Sequence, residues 1–224
     1  MTKSKTTNVK TLCSMAMLTA IAIASDMLLR LPNIGGFLTY EPKDVVLTIG
    51  AFIFGPVQGI VMSLVVCVVE MITISNSGII GCIMNFLSSA VFVGTASIIY
   101  FRKRTLSRAI IGLIVGSLSM ITIILLWNYI LTPIYTGMPR EAVLDLFLPL
   151  LVPFNFIKAS LNSALTLLLY KGVVTALRKT NLIPMRESAD DMEMKKSNTF
   201  IIVGVSALIT ITLILTLLIF SGIL

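Results

Sequence analysis

Apolar residues run almost without interruption along the chain, divided only by short polar or helix-breaking segments. An apolar stretch over 12–29 follows Lys3, Lys5 and Lys10. Residues 30–44, "RLPNIGGFLTYEPKD", carry two prolines and two glycines and mix aromatic with polar side chains, which predicts a structured loop. Next come a short apolar run over 45–54 ending at Gly55-Pro56, a longer run over 57–74, and a turn at "SNSGIIG". A run over 82–101, the basic loop "RKRTLSR" and a run over 109–131 follow. A partly polar connection over 132–149 leads to an apolar run over 150–177; a charged segment then precedes a last run over 199–224. Several runs approach the roughly 20 apolar residues that cross a bilayer as a helix. The pattern predicts an all-α integral membrane protein: a six-helix unit over 1–180, a charged linker over 181–198, and an additional C-terminal helix over 199–224. There is no internal repeat of the transporter type.

Composition agrees with the pattern. Hydrophobic residues make up 57% and charged residues 12% of the chain, against roughly 25% charged in a soluble domain. The net charge of +7 does not point to nucleic acid, because no basic stripe is interleaved with aromatics. The charges sit between apolar runs, where they set topology. With the N-terminus inside and the spans alternating, the inside segments hold Lys3, Lys5, Lys10, Arg102, Lys103, Arg104, Arg108, Lys171, Arg178, Lys179, Arg186, Lys195 and Lys196. The outside segments hold only Arg30, Lys43 and Arg140. This predicts a multi-pass protein of the cell membrane with a cytoplasmic N-terminus. The "AIAIAS" stretch resembles a leader cleavage site after Ala24, but the apolar run continues through Met27, Leu28 and Leu29, so it reads as a retained span.

Cys13, Cys67 and Cys82 lie in apolar segments without a metal or redox spacing and read as small apolar residues. Histidine is absent, which removes the commonest general base and metal ligand. No serine has a recognisable nucleophile context, so a Ser-Lys dyad with Lys158 is disfavoured, and the chain reads as a non-enzyme without a cofactor. No P-loop motif is present.

The informative residues are the polar ones inside the apolar runs. In "PFNFIKASLN", Asn155, Lys158 and Asn162 share one helical face. On the alternating topology, Asn155 and Lys158 open the sixth span, Asn128 closes the fifth, Asn85 lies in the outer half of the fourth, and Glu70 and Asp26 close the third and first. The loop carrying Tyr40 is outside as well. Each polar group in hydrocarbon is costly unless it finds a partner or a cavity, so several at one depth suggest an outward-opening polar pocket. Other readings stand beside this one. Lys158 can snorkel to headgroups, asparagines can join helices, and Asp26 and Glu70 can cap a helix or face interfacial water. A ligand-free assembly subunit would have these residues pair among themselves.

With these segments, the chain resembles the substrate-binding (S) components of energy-coupling-factor (ECF) vitamin transporters, most closely the riboflavin type. The resemblance rests on "FLTYEPKDVVLTIGAFIFGPVQG", "MNFLSS", "LLWNYILTPIYTGMP" and "PFNFIKASLN", and with the helix order it covers roughly residues 10 to 180. It implies a six-helix vitamin-binding fold whose ligand is contacted by residues matching Asn128, Asn155 and Lys158, and by a loop tyrosine matching Tyr40. Asn85, in "MNFLSS", joins the expected site. Riboflavin is the implied ligand, with another vitamin or another flavin, FMN or a precursor, as the alternative. The implied partners are a transmembrane coupling subunit and two ATPase subunits, and the S component is thought to topple in the membrane. The family docks through an alanine stripe on the first helix. Ala16, Ala20 and Ala24 recur every four residues here, a spacing that allows close helix approach and that internal packing would also use. The helix over 199–224 departs from the six-helix family pattern.

Overall fold

The computed structural model describes residues 9–29, 38–74 and 78–179, with residues 204, 208, 209, 211 and 212. The linker over 181–198 and most of the helix expected over 199–224 lie outside the described residues, as do residues 30–37 of the first loop and 75–77 of the turn. The described chain is all-helical: α1 (Val9–Leu29), α2 (Lys43–Phe54), α3 (Pro56–Thr73), α4 (Gly78–Lys103), α5 (Leu106–Thr136), α6 (Arg140–Asp145), a π-helical turn (Phe147–Leu151) and α7 (Val152–Lys179). Five segments are long and apolar enough to cross a membrane: those of α1, α3, α4, α5 and the stretch from Arg140 to Ala176. Many exposed side chains on them are Leu, Ile and Val, as faces toward acyl chains require. Several hydroxyls within the spans are satisfied by their own helices. Ser14, Thr19, Ser63, Ser97 and Thr166 each donate to the carbonyl four residues back.

The short run over 45–54 forms a helix enclosed by the rest of the bundle. α2 has twelve residues, about 18 Å of helix, well short of the roughly 30 Å hydrocarbon core. It packs against α1, α3, α4 and α7, and nine of its residues are buried. Surrounded by protein, it need not match the lipid thickness, and an apolar face all round is what such a position demands. Its reversal into α3 is sharp. Gly55 adopts φ 124°, open to glycine alone in practice, and Pro56 starts α3 where no N–H is needed.

Two boundaries differ from expectation. α5 continues past Pro133 to Thr136 and ends on Gly137 at φ 72°. The connection over 132–149 is largely helical. Pro149 there cannot supply the donor of a regular turn, and the backbone widens so that Leu151 N–H reaches Leu146 O at 2.9 Å.

The helices alternate in direction, and their two ends differ. At one end Phe52 stacks on Tyr100 with centroids 4.4 Å apart, and Tyr170 meets both rings edge-on. The Tyr100 and Tyr170 hydroxyls are 2.8 Å apart, and Arg104 lies over Phe101. This cluster ties the ends of α2, α4 and α7 together. The opposite end is polar.

Between α4 and α5 the backbones nearly touch. A Cβ on Gly112 would come within 2.6 Å of Ala96 O, and one on Gly116 within 2.9 Å of Phe92 O. Gly112→Leu is expected to destabilise the protein by about 1–3 kcal/mol through overpacking, lowering the thermal midpoint in detergent. Gly172→Leu is the control, since a Cβ there meets nothing within 4 Å. Equal midpoints for both variants would refute the close-approach role of Gly112.

Candidate ligand-binding site

A charged side chain on a membrane helix turns inward because hydrocarbon offers it no partner. Here Asp26 near the end of α1, Glu70 near the end of α3, and Lys43 and Asp44 at the start of α2 are all essentially inaccessible. With Glu41 and Lys158 they place four carboxyl groups and two ammonium groups in one region.

Glu41 joins the most elements. Its Oε2 lies 3.1 Å from Lys43 Nζ and 3.2 Å from Lys158 Nζ, and its Oε1 accepts from Asn85 Nδ2 at 2.8 Å. Lys43 also ion-pairs with Glu70. The carboxylate oxygens of Asp26, Glu41 and Glu70 come within 4.8 Å of one another. Lys43 already supplies the cation between Glu41 and Glu70, so no metal is assigned. Asp44 faces the other way: its Oδ1 accepts from Ser89 Oγ at 2.5 Å and its Oδ2 from Asn162 Nδ2 at 3.3 Å. A carboxylate at a helix N-terminus also suits the α2 dipole. The Tyr40 hydroxyl donates to Asn162 Oδ1 at 2.9 Å. Burial, and then the Asp44 carboxylate, push the Tyr40 phenol well above its usual range. It therefore stays a donor and fixes the orientation of the Asn162 amide.

A cavity with about 700 Å³ of empty space, its open mouth included, lies beside this network. Leu38, Thr39 and Glu41 of the first loop form one side, with Ile80, Gly81, Met84, Asn85 and Ser88 of α4 beside them. Ile124 and Asn128 of α5 and Phe154, Asn155 and Lys158 of α7 complete the lining. Leu38, Leu151 and Phe154 pack into a small apolar cluster at this end, so the described part of the loop is held against the π-helical turn.

The structure brings Asn85, Asn128, Asn155 and Lys158 to the cavity wall. Asn128 Nδ2 donates to Ile124 O and Asn155 Nδ2 to Leu151 O, both at 2.8 Å, so each amide is oriented by the backbone four residues before it. Thr132 Oγ1 donates to Asn128 Oδ1 at 2.9 Å. Tyr40 is buried against Asn162 and is not part of the cavity lining. Lys158 does not snorkel, being 6% exposed and paired with Glu41. Asp26 and Glu70 neither cap helices nor face water. Lys43, expected as an outer loop charge, is a core residue; its carboxylate neighbours make that position tenable. Ala16, Ala20 and Ala24 are exposed on α1, whereas Ser14, Leu18, Thr19, Ala22 and Asp26 face the bundle. The stripe is therefore not internal packing among the described residues. Cys13 is exposed rather than buried, while Cys67 is buried and its carbonyl accepts from Cys82 Sγ at 3.5 Å.

Sequence reasoning passed over Glu41 and Asp44 as members of this polar network. The signal available was "YEPKD", three charges directly before a run too apolar and too short to be a surface helix.

A family model described as ECF transporter, substrate-specific component, matches residues 10–170. The riboflavin transporter RibU of Staphylococcus aureus (strain TCH60) is 32% identical over 177 residues, which is 76% of this chain and 93% of that protein. The riboflavin transporter FmnP of Bacillus subtilis (strain 168) is 26% identical over 160 residues, 67% of this chain and 84% of that protein. A solved structure reported under "Structure and mechanism of the S component of a bacterial ECF transporter" matches with a TM-score of 0.65 at 32% identity, covering 75% of this chain and 98% of that one.

The ion network makes a stability prediction. Lys43→Met leaves Glu41 and Glu70 without their shared cation, and breaking a buried pair costs about 3–5 kcal/mol. The variant is expected to lose most of its thermal stability in detergent, and adding Glu70→Gln should restore part of it. A Lys43→Met protein as stable as the parent would contradict the network.

Proposed function

The chain belongs to the substrate-specific components of ECF transporters, and on that premise we propose that it is the riboflavin-binding membrane subunit of an ECF-type importer. The observation that carries this reading is the cavity walled by Asn85, Asn128, Asn155 and Lys158. A flavin ring presents carbonyl oxygens, ring nitrogens and one N–H along one edge, and amides can donate and accept there. Lys158 gives one hydrogen to Glu41 and keeps two donors for ring or ribityl oxygens. Leu38, Met84, Ile124 and Phe154 offer the apolar surface that a ring face needs. The family supports the same ligand, since two relatives are riboflavin transporters.

In this reading α1 to α5 and α7 make six alternating passes, with α2 as the short second one. Lys43 at its start meets the polar end, and Phe52 near its finish meets the aromatic end. The N-terminus is cytoplasmic, which puts Lys10, Arg102, Lys103, Arg104, Arg108 and Lys179 inside, in keeping with charge bias. The cavity then opens outward. Riboflavin is uncharged at neutral pH, so the membrane potential does not draw it in. Energy comes from two ATPase subunits through a membrane coupling subunit, which docks on the exposed stripe Ala16, Ala20 and Ala24.

The mutual pairing of Glu41, Lys43 and Lys158 favours a second reading, an assembly subunit that binds no ligand. Binding measurements separate the two. The purified protein is expected to retain riboflavin and to be yellow. Lys158→Ala and Asn155→Ala should each weaken riboflavin binding roughly five- to 150-fold, the value of a lost hydrogen bond to a buried group. Fluorescence quenching that finds parental affinity in both variants would move the site elsewhere, and no riboflavin binding by the parent would leave the assembly reading.

Docking makes a separate prediction. Trp at Ala16, Ala20 or Ala24 should abolish riboflavin uptake by cells carrying all subunits, because it holds partner helices apart. The purified variants should bind riboflavin normally. Undiminished uptake with Trp at all three positions would remove the docking role.

A further inference from the structure

Glu41 is the only acidic side chain among the described residues lining the cavity, and Lys158 is the only basic one. The carboxylate is fully engaged by three groups from three elements: Lys43 of α2, Asn85 of α4 and Lys158 of α7. Two of the three lie on the cavity wall. An unpaired Lys158 would be a free cation in a site of low dielectric, where a unit charge acts strongly over several ångströms. With Glu41 beside it, the wall carries one charge of each sign. Behind the wall, Asp26, Asp44 and Glu70 outnumber Lys43, so no excess of positive charge stands in reserve.

We propose that Glu41 is the positioning and specificity-determining residue of the cavity: it holds the Lys158 ammonium and the Asn85 amide against the wall and cancels the lysine charge, so the cavity favours an uncharged polar ring ligand over an anionic one. The inference rests on the reading that the cavity binds riboflavin. It goes further by naming what discriminates riboflavin from its phosphate ester, FMN.

The selectivity of the site should then follow its charge. Riboflavin and FMN are titrated separately against the purified full chain by flavin fluorescence quenching. Glu41→Gln removes one negative charge while keeping an acceptor for Asn85, and should shift the affinity ratio toward FMN by about tenfold or more. Lys158→Met removes the positive charge and should shift the ratio the opposite way. The double variant should return toward the parental ratio, because the wall is again neutral. A purely structural role for Glu41 would weaken both flavins together and leave the ratio in place. The proposal is overturned if the ratio is unmoved in both single variants, or moves in the same direction in both. Should Glu41→Gln not fold, the direction seen with Lys158→Met still decides: an unchanged ratio or a shift toward FMN overturns the charge argument. A parent that binds neither flavin would overturn the riboflavin reading and this inference with it. A parent that binds riboflavin without these shifts would overturn this inference alone.

Discussion

Burying charge inside a membrane bundle is the constraint on which the rest of this structure depends. A carboxylate or ammonium taken out of water is costly unless an opposite charge and hydrogen bonds meet it. Glu41, Lys43, Glu70 and Lys158 meet that demand jointly, since each ammonium contacts a carboxylate and Glu41 contacts both ammoniums. No one helix can satisfy the set. Lys43 and Glu70 require α2 to lie against α3, and Glu41 and Lys158 require the first loop to lie against α7. The network thus selects one arrangement of segments that apolar packing alone would leave loosely specified, lipid tails being as apolar as the side chains they compete with.

The same network explains why the cavity sits where it does. The aromatic end has Phe52, Tyr100 and Tyr170 stacked and hydrogen-bonded across α2, α4 and α7. Such rings fill space and leave few polar groups to satisfy. At the polar end, short side chains and oriented amides cannot fill the space between α4, α5 and α7 without leaving hydrogen-bonding groups unmet. A cavity with asparagine and lysine on its wall is the result. One end is filled by packed rings, and the other, among the described residues, holds the cavity.

Much of this was legible in the sequence, for identifiable reasons. Long apolar runs gave the helices of α1, α3, α4, α5 and α7. The depth argument gathered Asn85, Asn128, Asn155 and Lys158 because alternating spans place their ends in register. What failed was local inference about charges. Lys43 looked like a loop charge because it lies two positions before an apolar run, a position that in most chains faces water. Its burial depends on Glu41 and Glu70, and the Glu70 contact is 27 residues away in sequence. Tyr40 hydrogen-bonds Asn162 across 122 positions. Periodicity cannot register such pairings. The shortness of α2 was visible, but its meaning was not, because only the four helices around it make a twelve-residue element sufficient.

Helix one shows how the charge network reaches a surface it does not touch. Asp26 cannot face lipid, so it turns into the bundle toward Glu41 and Glu70. That choice fixes the rotation of α1 about its own axis. Ala24 precedes Asp26 by two residues, about 200° around the helix, and must therefore face outward. Ala20 and Ala16 follow at steps of four and share its face. The exposed alanine stripe is thus a consequence of where one carboxylate goes. Small side chains on that face leave the backbone open to close approach by a partner helix, while the acid that orients them belongs to the same cluster as the cavity wall. The cavity and the exposed alanine stripe occupy different sides of the bundle, and a common electrostatic requirement bears on both.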